Sequence, residues 1–324
     1  MPASSTAPRH PVVRASTSVL TAAWIATWAV ACGHVGERPS TAPPLSDVVV
    51  IGQFSDRHLV EASGLLVSTH EPNVFWAQND SGNDPQLFAV DSTGRALGTV
   101  RVAGATNRDW EAIAPGPCDT GACVYIGDVG DNQARRDDLR IWRVPEPRST
   151  DSVTAPAVAL AFRYADGPKD VEAMWITPDT TLYLLTKRGH ADASGHPTAA
   201  RLYRLLASAW RAESPVVATF VDSLPIIPDL RDGGTWITDA ALSPPDAEGT
   251  RQLAVRTYND VFVFGVNATT WTPSDLIARC SLAALRERKS GEGVTWFRAG
   301  QLMFDAEGER AMLHTGRCLP ETKP

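Results

Sequence analysis

The feature that most constrains this chain is an internal repeat. An acidic start leads into a short apolar strand at Glu61-Ala62-Ser63-Gly64-Leu65, Asp109-Trp110-Glu111-Ala112-Ile113, Asp170-Val171-Glu172-Ala173-Met174, Thr238-Asp239-Ala240-Ala241-Leu242 and Gly291-Glu292-Gly293-Val294. The steps from Glu61 through Glu111, Glu172 and Asp239 to Glu292 are 50, 61, 67 and 53 residues. After each start come a turn and a second strand: VFWAQND, VYIGDVGDN, LYLLTKR, LAVRTYND and LMFDAEG. Third strands read as QLFAVD, LRIWRV, RLYRLL and VFVFGV, and fourth strands as ALGTVRV, AVALAFRY and VVATFVD. Short runs rich in β-branched and aromatic residues, bounded by Gly, Pro, Asp and Asn, are strands, and units of this length holding four of them are propeller blades.

The expected fold is therefore an all-β β-propeller of five blades, or six if the longer third or fourth unit hides another. Only Pro273 to Arg288 carries a trace of helical period. The last unit has room for three strands, whereas Asp47 to Phe54 precedes the first repeat without a partner there. The economical solution is that this N-terminal strand completes the last blade and closes the ring, which covers edges that an open set of sheets would expose.

Before the repeats, Met1 to Arg14 carries Arg9 and Arg14 and no acid, and Ala15 to Ala31 is apolar, ending in small residues before Cys32. That is a secretory signal. The small residues ahead of the cysteine look like a lipobox in which Cys32 becomes the lipidated first residue; simple cleavage after Ala31 is the rival. The expected division is 1–31 signal peptide, 32–46 lipidated cysteine and Pro/Ser/Thr-rich tether, 47–319 propeller and 320–324 tail. The expected address is the bacterial cell envelope, lipid-anchored outside the cytoplasm.

Cysteine usage agrees with that compartment, because setting Cys32 aside leaves four. Of three pairings, proximity favours Cys118 with Cys123 and Cys280 with Cys318. A zinc site lacks its CxxC or His-pair spacing. A net charge of −7 argues against nucleic acid as a partner, whose affinity comes largely from a basic surface. A monomer held to the membrane by its lipid alone is expected.

The motifs SGL after Glu61, NDSG at Asn79, DWEAIA at Asp109, GDVGDN from Gly127 with Arg136 following, and DVEAM at Asp170 resemble secreted bacterial propellers of the phytase-like and SdiA-regulated group. The resemblance spans most of 47–318. It implies a propeller outside the cytoplasm more strongly than any one activity. The fourth repeat departs from it, with Asp239 and Ala240 where the others have Glu and Ala.

In a four-stranded meander the start of the innermost strand and the end of the second lie at one face of the disc. Glu61, Glu111, Glu172, Asp239 and Glu292 would stand around the central mouth there. A wider ring would hold Asn79, Asp80, Asp128, Asp131, Asn132, Lys187, Arg188, Arg256, Tyr258, Asp305 and Glu307. Converging carboxylates raise one another's pKa unless a counter-charge is present, and oxygen-only ligands suit Ca2+. The expected metal ligands are Glu61, Glu111, Glu172 and Glu292; the alternative is that these acids accept backbone N–H bonds at the blade tops.

Asn79, Asp80, Asp128, Asp131 and Asn132 with Lys187, Arg188 and Arg256 form the expected ligand-binding set. The function read from them is binding of a cation and of an anionic small molecule or envelope partner. The alternative is a Ca2+-dependent phosphoesterase, with the bases holding phosphate and Glu111 positioning water as its candidate catalytic residue. No GxSxG, GxGxxG, Walker or HExxH motif occurs.

Overall fold

The computed structural model describes residues 40–320 apart from 214, 232, 288, 289 and 299. The signal segment and Cys32 lie outside these residues. The first strand, β1, covers Ser46–Gln53. The first repeat unit supplies β2 (Ala62–Val67), β3 (Val74–Asn79), β4 (Gln86–Asp91) and β5 (Ala96–Arg101). The second supplies β6 (Trp110–Pro117), β7 (Ala122–Asp128), β8 (Arg140–Pro145) and β9 (Val158–Tyr164). The third supplies β10 (Val171–Ile176), β11 (Leu182–Thr186), β12 (Arg201–Leu205) and β13 (Val216–Ser223). The fourth supplies β14 (Ile237–Leu242), β15 (Gln252–Thr257), β16 (Asp260–Val266) and β17 (Pro273–Ser281), and the last β18 (Val294–Arg298), β19 (Gln301–Phe304) and β20 (Met312–Arg317).

Each unit is an antiparallel meander. The first and fourth are four-stranded sheets, and the second and third join into one eight-stranded sheet through a parallel pairing of β9 with β13. The last sheet has the order β1-β20-β19-β18, so the N-terminal strand supplies the strand that the final repeat lacks. Just before β1, Ser281 N donates to Pro43 O and Leu45 N to Ser281 O, which stitches the incoming chain to the end of β17.

Strand alternation explains how the units pack. On β3, Val74 and Trp76 face the second unit while Phe75 and Ala77 face the last one. On β11, Leu182 and Leu184 face the second unit while Tyr183 and Leu185 face the fourth. Successive side chains point to opposite faces, so a sheet apolar on both faces must be covered on both. The innermost strands touch in the order β2, β6, β10, β14, β18 and back to β2. The architecture is propeller-like.

Residues 273–287 contain no helix, contrary to the trace of helical period: they form β17 and then turns. β17 is an outer strand whose side chains are exposed from Ser274 to Ile277, so burial left no clean alternation in its sequence. Its proline stands at the strand's first residue, where a missing N–H is tolerated. Ala207–Arg211 and Gly233–Thr235 are short 3-10 turns, and among the described residues no helix is long and apolar enough to cross a membrane.

Cys118 is bonded to Cys123 across the β6–β7 turn, with 5.2 Å between Cα atoms. Cys280 is bonded to Cys318 with Cα atoms 5.6 Å apart, tying β17 to the segment that follows β20.

Candidate functional site

The site is built by a repeated irregularity. Trp110 pairs with Asp128 and Ala112 with Gly127, so Glu111 is an extra residue bulged out of the ladder. The same break leaves Glu172 extra between Val171 and Ala173, Thr238 between Ile237 and Asp239, and Ser63 between Ala62 and the rest of β2. A bulge bends a strand and re-aims the extra side chain. Here it sets apart one side chain in each of the first four units.

The hydroxyls in this ring link one unit to the next. Ser63 Oγ donates to Glu111 Oε2 at 2.8 Å and lies 3.4 Å from Glu111 O. Thr238 Oγ1 donates to Glu292 O at 2.9 Å, which places Glu292 in the corresponding position of the last unit.

Register therefore revises the alignment read from the motifs. Ser63 and Thr238, not Glu61 and Asp239, are equivalent to Glu111 and Glu172. Glu61 sits two residues earlier, level with Asp109 and Asp170; it is exposed, and its Oε2 accepts from Asn83 Nδ2 at 2.7 Å. Asp239 falls just past the bulge, opposite Arg256, and its carboxylate accepts Val294 N at 2.8 Å and Ala240 N at 2.7 Å. Glu111, Glu172 and Glu292 share the ring.

One cation stands among them. Lys187 Nζ is 2.5 Å from Glu172 Oε1, and both side chains are buried. Burial disfavours its charge, but the fields of Glu172, Tyr258, Glu111 and Asp170 prevail and hold its pKa well above the ordinary lysine value. Its single charge is shared among many carboxylates. Burial pushes Glu172 up to about 7 in spite of Lys187, with Asp170 adding to the rise. Burial also raises Glu111, helped by Glu172 and Asp80, and raises Glu292, helped by Glu172. Tyr258 closes the ring by donating its hydroxyl to Glu292 Oε1 at 2.9 Å.

Above this ring lies a second cluster. Oxygens of Asp80, Asp109 and Glu111 all lie within 4.8 Å of one another. Burial and the Asp80 charge push Asp109 up to about 7, and burial raises Asp80 as well. Glu307, beside Asp80 and Glu61, is pushed to about 7 mainly by burial. Gly130 permits this crowding, because a Cβ there would stand 2.6 Å from Asp109 Oδ2 and 2.7 Å from Glu111 Cγ.

Other expected site residues have structural partners. Asn79 Oδ1 accepts Val60 N and Glu61 N at 3.1 and 3.0 Å, and Nδ2 donates to His58 O at 2.6 Å. Asp128 Oδ1 accepts Asp109 N at 3.1 Å and Arg136 Nη2 at 2.7 Å. Asp131 Oδ2 accepts Arg136 N at 2.7 Å, and Asp138 Oδ1 accepts Arg136 Nε at 3.1 Å. The acidic loop is thus folded around a buried arginine rather than around the mouth. Asn132 contributes its carbonyl, 3.4 Å from Arg188 Nη2.

Arg188 lies 3.4 Å from Asp170 Oδ2 and stacks over Trp236 at 4.6 Å. Arg256 is sealed between the last two units, 1% exposed, and donates to Gly293 O at 2.5 Å and Asp305 O at 2.8 Å. The three bases do not form one anion-holding half. Asp109 is the residue that the motifs pointed to without marking: it opens the DWEA repeat, and only the fold brings it beside Asp80.

No family model matches the chain, and no curated protein matches it. Solved structures give distant matches. A glucose dehydrogenase is 9% identical over 83% of this chain and 98% of its own, with a TM-score of 0.49. The GH43_1 enzyme from Xanthomonas citri, complexed with xylose, is 12% identical over 84% and 90%, at 0.45. A gluconolactonase from Xanthomonas campestris is 13% identical over 89% and 90%, at 0.40. Those activities belong to those proteins.

Proposed function

We propose that this chain is a five-bladed propeller, counting the eight-stranded sheet as two blades, whose acidic mouth binds a divalent cation and, through it, an anionic small molecule or an envelope partner. The carrying observation is the approach of Asp80, Asp109 and Glu111 oxygens to within 4.8 Å of one another. Oxygens bound to one Ca2+ at about 2.3–2.6 Å lie at most about 5 Å apart, so the spacing of this set is compatible with one shared ion. The donors are all hard oxygens, which favour Ca2+ over a soft transition metal. Lys187 pairs most closely with Glu172, and burial raises Asp80, Asp109 and Glu111 in spite of Lys187 and Arg136, so a further cation would stabilise their charged forms.

A cation held there would present open positions to a carboxylate, phosphate or vicinal hydroxyl pair on a ligand. The phosphoesterase alternative has weaker support, because Arg256 is sealed away from the mouth and donates to backbone carbonyls. The extracytoplasmic address, with 1–31 as signal, Cys32 as lipid anchor and 32–46 as tether to a propeller over 47–319, belongs to the same proposal. So does kinship with the phytase-like and SdiA-regulated group. The two disulfides support export, since such bonds persist in oxidising compartments.

Thermal melting in chelator and in Ca2+ tests the reading. A ligand that binds only the folded state raises the melting temperature with concentration. Wild type should gain stability with Ca2+, and Glu111→Gln should lose most of that gain. Metal-free protein whose melting is indifferent to Ca2+ would rule the site out.

A further inference from the structure

At the opposite end of the innermost strands lies a cavity of different chemistry. The strands enter the channel at the acidic mouth and finish around a space of about 550 Å3 walled by Leu65, Ile113, Met174, Trp296 and Phe297. That volume suits a small molecule, as does a lining that is mainly apolar with few polar groups. Proline at 115, 244 and 245 fixes part of the rim, so the opening is largely preformed.

Its polar liners are mostly spoken for. Trp296 Nε1 donates to Ala241 O at 2.9 Å, leaving the ring to add apolar surface. Ser243 Oγ donates to Pro244 O at 2.8 Å, and Ser68 Oγ accepts Glu71 N at 3.0 Å. Arg251 is the exception. It is the one charged residue lining the cavity, it is only partly buried, and it packs over Trp271 at 5.6 Å. Of its five N–H donors, Nη1 serves Ser243 O at 2.7 Å, and among the described residues no carboxylate lies within ion-pair distance. Burial without an anionic neighbour lowers its pKa from the ordinary arginine value.

A guanidinium at the edge of an apolar chamber, with donors to spare, complements one kind of molecule. We infer that this cavity binds an amphipathic monocarboxylate, its hydrocarbon part in the chamber and its carboxylate on Arg251. Apolar walls supply most of the affinity and the charge-assisted hydrogen bonds choose the head group. The site is separate from the acidic mouth and owes nothing to a cation there.

Calorimetric titration of the full chain with decanoate and with decanol, both below their aggregation limits, tests this. Decanoate should bind saturably, one per chain, and decanol roughly tenfold or more weakly, the ratio expected for a hydrogen bond to a charged group. Arg251→Gln should bring decanoate down to the decanol level without changing decanol. Leu242→Trp, which fills the chamber from its wall, should weaken both. Chelator should leave all of these affinities unchanged, which separates the site from the mouth. Melting curves check that the variants fold; if Arg251→Gln does not, Arg251→Lys must keep the preference for decanoate. Absence of saturable decanoate binding, equal affinities for the two probes, an effect of chelator, or indifference to either Arg251→Gln or Leu242→Trp would overturn the assignment.

Discussion

Lys187 and Glu172 form a buried ion pair, 2.5 Å from Nζ to Oε1, at the centre of a ring of bulged side chains contributed by different units. The lysine comes from just past the end of β11 and the glutamate from the start of β10, so one hairpin supplies both charges. The pair is the ring's closest charge compensation, and Lys187 and Arg136 also act on the cluster of Asp80, Asp109 and Glu111, where burial still prevails and raises all three carboxyls.

Lys187→Met should therefore be among the most damaging single changes. It leaves Glu172 buried without its partner, beside Glu111 and Glu292, and breaking one side of a buried pair typically costs about 3–5 kcal/mol. Denaturant unfolding should register the loss, and the double variant Lys187→Met, Glu172→Leu should recover part of it. A loss no larger than for an exposed lysine would contradict the central role of the pair.

Acid should stabilise this mouth rather than harm it. Asp109, Glu172 and Glu307 titrate at about 7 in the folded chain, whereas an unfolded carboxyl titrates near 4. Between those values the folded state holds more protons than the unfolded one. Stability contributed by these groups is thus fully present below about pH 4 and is lost as pH rises through 7. Asp91, Asp138, Asp166 and Asp179 are shifted downwards and lose their contributions only on the acid side of about 4. Unfolding free energy measured in chelator should peak at mildly acid pH and decline towards 8. Saturating Ca2+ should flatten that decline.

Gly130→Ala probes the crowding directly. Its new Cβ would meet Asp109 Oδ2 and Glu111 Cγ at 2.6 and 2.7 Å, so those carboxylates must move. Overpacking of this kind costs roughly 1–3 kcal/mol. The same change should weaken Ca2+ binding measured by calorimetry, whereas Gly121→Ala, at a turn with nothing within 4 Å of the added Cβ, should leave it unaltered.

Removal of residues through Gln53 deletes β1 from the last sheet and exposes β20. The loss should lower the melting temperature of the whole domain in one transition, because β20 and the apolar cluster containing Leu313 and Met303 pack against the first unit as well. Two separated transitions, or an unchanged melting temperature, would show that the last unit does not depend on the N-terminal strand.

Strand identity was legible in the sequence because it is local. Short runs of β-branched and aromatic residues between turn residues mark strands whatever surrounds them, and the VFWAQN, VYIGD and LYLLT runs needed no partner to be recognised. The completion of the last unit by β1 was also legible, since counting strands per repeat left one over. Outer strand β17 escaped, because consecutive residues Ser274 to Ile277 are exposed on both faces and no one-sided burial writes alternation there.

The mouth was decided by tertiary structure. One-residue bulges move Ser63 and Thr238 into the ring and Glu61 and Asp239 out of it, and no local signal marks a bulge whose only consequence is which partner strand residue stands opposite. Asp80 and Asp109, 29 positions apart, become neighbours only when two units pack side by side. Arg256 and Arg136 look like free cations in sequence and are buried in the fold, because a charge inside a protein is fixed by the carbonyls and carboxylates that converge on it from other segments. The sequence by itself determined the repeat and all but the outermost of its strands; packing determined which of their polar residues face the channel.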